Sequence, residues 1–283
     1  MIKPSRDTLA QLRESDKEEQ SVQNASKLSS RLIYEVIRRD GEEELERPVR
    51  SLIWSGIAAG IMISFSVLGE AIFRTYLPDV PSSYLVENLG YSLGFLLVIL
   101  GRMQLFTENT ITTVLPLMVE PTRRKFAEVC RLWLIVLSAN VVGAFAIATL
   151  YAFTPAIPSE LMPALMALSE HAVGMPAGES FARAIPAGIL IAAIVWMLPQ
   201  AENATFIVIL VFTWLIAAGD FTHVVAGSVE MALLSVKGEL GFYDAVFGFF
   251  LPVLIGNVVG GTVIFAMMAW GQVRHELAEA EPN

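Results

Sequence analysis

The sequence predicts an all-α membrane protein with six transmembrane helices, arranged as two inverted three-helix repeats in which the second and fifth helices are broken. The first observation behind this fold class is composition, because 54% of the 283 residues are hydrophobic and only 17% are charged. Such a composition is typical of a polytopic membrane protein. The second observation is a series of long apolar segments, and the third is a set of short matches between the two halves.

The polar beginning of the chain, residues 1–48, predicts a cytoplasmic tail that is disordered at first and then forms a short amphipathic helix near the membrane surface. Leu28, Leu32, Ile33 and Ile37 recur there at roughly helical spacing. A helix that binds a partner protein is the alternative. The chain does not begin with the apolar core of a signal peptide, so we expect no cleavage.

Six apolar segments follow this tail, at about 50–73, 86–118, 126–153, 182–200, 203–236 and 244–273. A straight helix needs about 20 residues to cross the hydrocarbon layer. The second and fifth segments are longer than that, and their centres carry charges, Arg102 and Glu108 in one and Asp220 and Glu230 in the other. Two half-helices joined by a loop explain both the length and the charges.

Lysine and arginine are distributed unevenly along the chain. More than half of them lie in residues 1–50, and the loop 119–125 adds three more, whereas the loop 154–180 has none. This bias predicts that both termini lie in the cytoplasm and that the loop 154–180 lies on the opposite side. Residues 49–273 then form a transmembrane channel domain, and residues 274–283 form a cytoplasmic C-terminal tail.

Three pairs of short matches relate the two halves: 58-AAGIMI-63 with 186-PAGILI-191, 105-LFT-107 with 220-DFT-222, and 139-ANVVGA-144 with 256-GNVVGG-261. The members of the pairs are 128, 115 and 117 residues apart. The repeat unit spans three helices, and an odd number of crossings forces the second copy to insert upside down. The sequence therefore predicts inverted repeats.

The two breaks, at 102–108 and 218–223, are expected to meet near the middle of the bilayer from opposite directions. The half-helices that begin there carry partial positive charge and unpaired N–H groups at their N-termini. Two such ends aimed at one point predict a site for a small anion.

The chain resembles a known family at its most specific strings. These are 101-GRMQLFTENT-110, 216-IAAGDFTHVVAGS-228 and 250-FLPVLIGNVVGGT-262, which are similar to signature regions of the formate/nitrite transporter family. The strings 87-ENLGYSLGF-95 and 195-VWMLP-199 resemble its YfdC-type branch. The resemblance covers residues 40–275. It implies a homopentamer with an aquaporin-like fold in the lipid of a bacterial-type inner membrane, with one pore in each protomer.

The resemblance also implies the site residues. It puts a histidine, a threonine and an asparagine at the pore centre, at His223, Thr107 and Asn257. An imidazole at helix N-termini in a low-dielectric pore is expected to stay uncharged, which favours hydrogen-bond donation or proton relay. A structural histidine bonded to loop backbone is the alternative. Two constrictions flank the centre, formed by Leu105, Phe95 and Ala226 on the cytoplasmic side and by Phe106, Tyr91 and Ile216 on the other.

The chain departs from the family pattern in several places. Pro176 stands where the family has a lysine thought to draw anions into the vestibule, and Thr222 stands where a glutamate is common. Arg102 and Asp220 stand where small residues are common. We expect these two to form an intramembrane ion pair that holds the breaks together. Alternatively, Arg102 supplies the positive charge of the missing lysine.

Other polar residues of the apolar segments have structural explanations. Glu108 lies in the first turn of a half-helix and is expected to cap its N–H groups. Glu70 is expected to pair with Arg74 four residues on. Asn140 is expected to bond across helices, and Glu230 to serve packing between helices or protomers.

The predicted function is a channel or proton-coupled carrier for a small monovalent anion, such as formate or nitrite, or its conjugate acid. The alternatives are a non-conducting scaffold or sensor with the same fold, and a channel for neutral small solutes. An intramembrane enzyme with catalytic residues is not expected, because the sequence has no metal-binding cluster and no Ser or Cys nucleophile paired with His223. No metal, cofactor or nucleic-acid partner is expected. The single cysteine, Cys130, cannot form an intrachain disulfide.

Overall fold

The computed structural model describes residues 28–280, and over that range it consists of helices, turns and loops. The predicted disordered part of the tail falls in residues 1–27, outside the described range. In chain order the main helices are α1 (Ser30–Glu46), α2 (Val49–Tyr76), α3 (Ser83–Leu100), α4 (Phe106–Thr112), α5 (Arg123–Phe153), α6 (Met162–Val173), α7 (Ala177–Ala201), α8 (Thr205–Ala218), α9 (Val224–Val236) and α10 (Asp244–Glu276). A short helix, Val114–Val119, follows α4.

Five helical runs of the described chain are long and apolar enough to cross a membrane, namely Val49–Tyr76, Ser83–Leu100, Arg123–Phe153, Ala177–Ala218 and Asp244–Glu276. The helix α9 is apolar but shorter. The all-helical membrane fold predicted from composition is therefore confirmed. The predicted fourth segment and the first half of the fifth belong to one helical run of 42 residues, which Glu202 interrupts with a left-handed φ of 37°.

The amphipathic helix α1 forms as predicted, but it packs onto the protein. Ile33, Tyr34 and Ile37 are buried against the region that follows α4, and the Tyr34 hydroxyl donates a hydrogen bond to the Leu115 carbonyl at 3.3 Å. Gly41 lies so close to the Thr112 carbonyl that a Cβ atom would overlap it. The helix is thus held by side-chain burial and by one close backbone contact.

Both predicted breaks exist, between α3 and α4 and between α8 and α9, and their backbones are built alike. At the end of α3, the Arg102 N–H bonds the Ile99 carbonyl and the next N–H bonds the Val98 carbonyl. At the end of α8, the Asp220 N–H bonds the Ala217 carbonyl, and the next N–H again reaches back five residues. This is the Schellman ending of a helix, and it requires a left-handed residue.

The residues that adopt this left-handed conformation are charged at both breaks. Arg102 has φ of 49° and Asp220 has φ of 54°. Gly238, which ends α9 with the same bonding pattern, has φ of 79° and is the residue type usually found there. A side chain in this conformation costs about 1–2 kcal/mol. The two breaks therefore have charged residues at positions where glycine would be more stable.

Two buried asparagines hold the loops of the breaks in place. The Asn140 side chain accepts the Phe106 N–H at 3.0 Å and donates to the carbonyls of Gln104 and Gly56, both at 2.8 Å. Asn257 makes the same set of bonds at the other break, accepting the Val224 N–H at 2.8 Å. It donates to the carbonyls of Thr222 at 3.0 Å and Ala184 at 2.8 Å.

This shared bonding fixes how the two breaks correspond. Phe106 matches Val224, and Arg102 matches Asp220, so both pairs are 118 residues apart. The match of 105-LFT-107 with 220-DFT-222, which are 115 residues apart, is therefore wrong by three positions. Positions that make the same hydrogen bonds at the two breaks carry different residue types. The similar strings LFT and DFT do not occupy corresponding positions.

Candidate functional site

His223 and Thr107 meet where the two half-helices begin. The Nε2 atom of His223 lies 2.7 Å from the Thr107 hydroxyl, and both side chains are buried. The other ring nitrogen, Nδ1, accepts the N–H of Ala226 at 3.2 Å and so caps α9. Because a nitrogen that accepts a hydrogen bond carries no proton, the neutral imidazole has its proton on Nε2 and donates it to Thr107.

The N-termini of α4 and α9 supply further donors beside this pair. Their first N–H groups, of Phe106 and Val224, are taken by the asparagine side chains. The second N–H groups, of Thr107 and Val225, have no hydrogen-bond partner among the residues that the structure describes. Unpaired N–H groups at a helix start carry partial positive charge and favour an anion or an electronegative atom.

Two cavities approach the pair from opposite ends. One, with a volume of about 820 Å³, reaches His223 and Phe221 and opens beside the turn between α2 and α3; we name it the outer vestibule. The other, of about 490 Å³, reaches Leu105 and lies under α1; we name it the inner cavity. Thr107 lines neither cavity and is fully buried. The path between the two cavities is thus interrupted at the His223–Thr107 pair.

The predicted constriction residues are all buried, but they differ in position. Phe95 stacks edge-on against the His223 ring with 5.0 Å between centroids, and Tyr91 stacks on Phe95 at 5.1 Å. Tyr91 lines the outer vestibule and Leu105 lines the inner cavity. Phe106 instead stacks edge-on against Trp133 at 5.6 Å. Phe106 lines neither cavity, and the same is true of Phe95, Ile216 and Ala226, so their place in a constriction stays a prediction.

The expected ion pair between Arg102 and Asp220 is not formed. Asp220 lines the outer vestibule, where its carboxylate contacts Arg183 and lies 3.0 Å from the Nε2 atom of His171. Arg183 also donates to the Asp220 backbone carbonyl at 3.3 Å. Arg102 lines the inner cavity with Asp40 of α1. Burial raises the pKa of Asp40, and the positive charge of Arg102 opposes that rise. The breaks open toward opposite ends, so their charged residues cannot meet.

Asn257 also differs from its predicted role. It was expected to face the pore, with Asn140 bonding across helices. The structure gives both asparagines the same three bonds to backbone, and both are fully buried. Their amides hold the breaks and leave no amide N–H for a passing solute. The groups that remain where the two half-helices meet are His223, Thr107 and the free backbone N–H groups.

Several carboxylates have other surroundings than expected. The Arg74 guanidinium lies 3.7 Å from Glu87, so the expected pair of Arg74 with Glu70 is replaced by one with Glu87. Glu230 lines the outer vestibule instead of a packing interface between helices. Glu108 lines the inner cavity, and the start of α4 has no side-chain cap. These carboxylates face cavities because the breaks open the bundle at both ends.

Sequence reasoning missed the groups that line the path beside the centre. Phe221 and Met103 occupy corresponding positions at the two breaks, one in the outer vestibule and one in the inner cavity. Arg183, which binds Asp220, was not considered as its partner. An alignment of the two halves with an offset of 118 residues would have paired Met103 with Phe221 and Leu105 with His223. That alignment needs the bonding pattern of the asparagines, which sequence letters alone do not reveal.

A buried polar pair at the meeting point of two broken helices, between cavities at opposite ends of an apolar bundle, defines a helical channel or transporter of the membrane. A sequence model of the formate/nitrite transporter family matches residues 31–271. The chain belongs to this family, and the resemblance seen in the sequence is confirmed. Proteins of this family are channels and transporters, and the chain is not an enzyme.

Individual relatives agree with the family. The chain is 46% identical over 246 residues to the inner membrane protein YfdC of Escherichia coli, covering 87% of this chain and 79% of that protein. This similarity assigns it to the YfdC-type branch. The formate channel FocA of Haemophilus influenzae is 26% identical, over 77% of this chain and 84% of that one. A solved pentameric formate channel with formate bound superposes with a TM-score of 0.69 at 23% identity, over 80% of this chain and 98% of that one.

Proposed function

We propose that each protomer conducts a small monovalent anion of the formate or nitrite type, or its conjugate acid, across a bacterial-type inner membrane. The observation that carries this proposal is the His223–Thr107 pair at 2.7 Å, located at the starts of two half-helices and between two cavities. The relatives that are formate channels support the solute class, and the pentameric neighbour supports assembly as a homopentamer.

In this proposal the central groups replace water around the solute. The Nε2–H group of His223 and the Thr107 hydroxyl donate hydrogen bonds to a carboxylate or nitrite oxygen. The free N–H groups of Thr107 and Val225 add partial positive charge without a full cation, so the solute is held weakly enough to leave. The rings of Phe95 and Tyr91 exclude the hydration shell.

We also propose the membrane arrangement expected from the sequence, with six crossings and two inverted repeats. A single straight helix of the 42 residues from Ala177 to Ala218 would be about 63 Å long, about twice the hydrocarbon thickness. The interruption at Glu202 ends the fourth crossing, and α8 together with α9 beyond the break forms the fifth. Residues 49–273 are then the channel domain, and the regions 1–48 and 274–283 lie in the cytoplasm.

Flux through proteoliposomes tests the function. Purified protein should speed the entry of formate, nitrite or acetate, with and without a pH gradient, over that of empty liposomes. The substitution His223→Ala removes a donor of the centre and should lower flux at least about tenfold. The matched control is His275→Ala, because His275 is exposed in α10 beside Arg274, far from the centre.

Three results would argue for other functions. If intact pentamers pass none of the solutes, a scaffold or sensor replaces the channel. If they pass only uncharged solutes such as glycerol, a neutral-solute channel replaces it. If flux is unchanged in His223→Ala, the central role of the imidazole is wrong.

A further inference from the structure

The outer vestibule carries a pair of carboxylates that the proposed transport does not use. Glu70 of α2 and Glu230 of α9 both line this cavity. Their exposed fractions are 6% and 9%, so both are more than nine-tenths buried. Among the residues that the structure describes, neither carboxylate has a hydrogen-bond or ion-pair partner.

The guanidinium groups near this pair form ion pairs with other carboxylates. Arg74 lies 3.7 Å from Glu87. Arg183 is shared between Asp220 and Glu179, at 2.6 Å from the latter. These ion pairs use the guanidinium groups nearest the cavity.

The other titratable groups at the cavity add no positive charge to the pair. His171 lies 3.0 Å from the Asp220 carboxylate, and the exposed Asp79 at the mouth adds another negative charge. Neither carboxylate therefore forms an ion pair within the described residues. Burying a charge without a partner costs free energy. An ionisable group that is retained in a membrane segment therefore indicates a site for a ligand.

We propose that Glu70 and Glu230 form a binding site for a small monovalent cation in the outer vestibule. The ligand class is an alkali-metal ion or a small ammonium ion, because the cavity combines two carboxylates with aromatic rings. Tyr91 and Phe249 line the same cavity, and aromatic rings attract organic cations. A free anion is disfavoured at this level of the vestibule. The site is independent of whether the pore conducts.

The two carboxylates attract ions of the opposite charge to those attracted by the pore centre. His223 also lines the vestibule, and there the helix N-termini favour negative charge. The carboxylates of Glu70 and Glu230 favour positive charge in the same cavity. Occupation by a cation neutralises the pair, and an anion that approaches the centre then meets less repulsion.

Thermal unfolding of the purified full-length protein in detergent tests the site. Methylammonium chloride, sodium chloride and potassium chloride are titrated at constant ionic strength and mildly alkaline pH. A cation that binds only the folded state raises the unfolding temperature with concentration, which yields its dissociation constant. Comparison of the three salts distinguishes an ammonium-type ligand from an alkali-metal ion.

The variant Glu70→Gln/Glu230→Gln should need at least about tenfold more cation for the same shift. If this double variant does not assemble, the single variants Glu70→Gln and Glu230→Gln are tested in its place. The control Asp79→Asn removes an exposed charge from the same vestibule and should change the constant less than about twofold. Equal responses in the native protein and in the double variant overturn the proposal. So does the absence of a response to all three cations, which means that a proton alone neutralises the pair.

Discussion

At the scale of single residues, the two buried asparagines show how a polar side chain can be essential without touching a solute. The Asn257 amide satisfies three backbone groups at once, in a loop where no helical partner is available. Asn140 does the same at the other break. Buried backbone groups without partners cost free energy, so each asparagine lets the chain break inside the membrane.

We therefore expect Asn257→Ala to lower the free energy of unfolding by about 3 kcal/mol, since it leaves a buried N–H and two carbonyls unpaired. Thermal unfolding of the purified protein in detergent measures the loss. Asn140→Ala is the matched comparison and should cost a similar amount. A variant Asn257→Ala with native stability but strongly reduced flux would instead make Asn257 a ligand of the solute.

His223 combines both kinds of role. Its Nδ1 atom caps α9, which is the structural role, and its Nε2 atom faces Thr107, where the proposed transport role needs a donor. The sequence could assign the residue through its place at a half-helix start. It could not assign the tautomer, because that depends on which backbone N–H the ring accepts.

At the scale of elements, α1 is joined to the inner cavity. The Gln104 side chain donates to Glu44 of α1 at 2.7 Å, and Asp40 of α1 lines the cavity with Arg102. The helical spacing of Ile33 and Ile37 predicted that α1 has an apolar face. The surface that this face covers depends on tertiary contacts, and spacing alone equally suits a membrane surface.

The close contact at Gly41 gives a test of how α1 is docked. Gly41→Ala should raise amide hydrogen exchange throughout α1 by about tenfold, because the new methyl group overlaps the Thr112 carbonyl and displaces the helix. Exchange is followed by mass spectrometry. Alanine is the better helix former, so propensity alone would act in the opposite direction.

The control for this change is Gly271→Ala in α10, where a Cβ atom would meet nothing within 4 Å. That variant should exchange like the native protein or more slowly. Unchanged exchange of α1 in Gly41→Ala would mean that the helix accommodates the methyl group without moving.

At the scale of the whole molecule, apolar length and midsegment charges sufficed to predict a broken-helix membrane bundle. The ion-pair partners of Arg102 and Asp220 were not predictable, because the two breaks that carry these residues open toward opposite ends of the bundle. Which end a loop faces is decided by the packing of α7 and α6 beside it. The same packing brings Arg183 and His171 to Asp220 and leaves Glu70 and Glu230 in the vestibule.

The number of crossings is the remaining property of the whole molecule, and cysteine labelling can decide it. Cys130 is exposed and would react, so Cys130→Ser is the background. Ser159, Glu202 and Glu239 are exposed in turns of the described structure, and each is replaced by cysteine in turn. Six crossings predict that a membrane-impermeant maleimide labels positions 159 and 239 on intact cells, and position 202 only after lysis.

The alternative arrangement has five crossings, with the run from Ala177 to Ala218 crossing once. It would bury position 202 within the bilayer and move position 239 to the cytoplasmic side. The two arrangements therefore give opposite results at position 239. Labelling there on intact cells supports six crossings, because only a further crossing by α8 and α9 together brings the turn after α9 to the same side as the loop 154–180. Labelling only after lysis contradicts the inverted repeat.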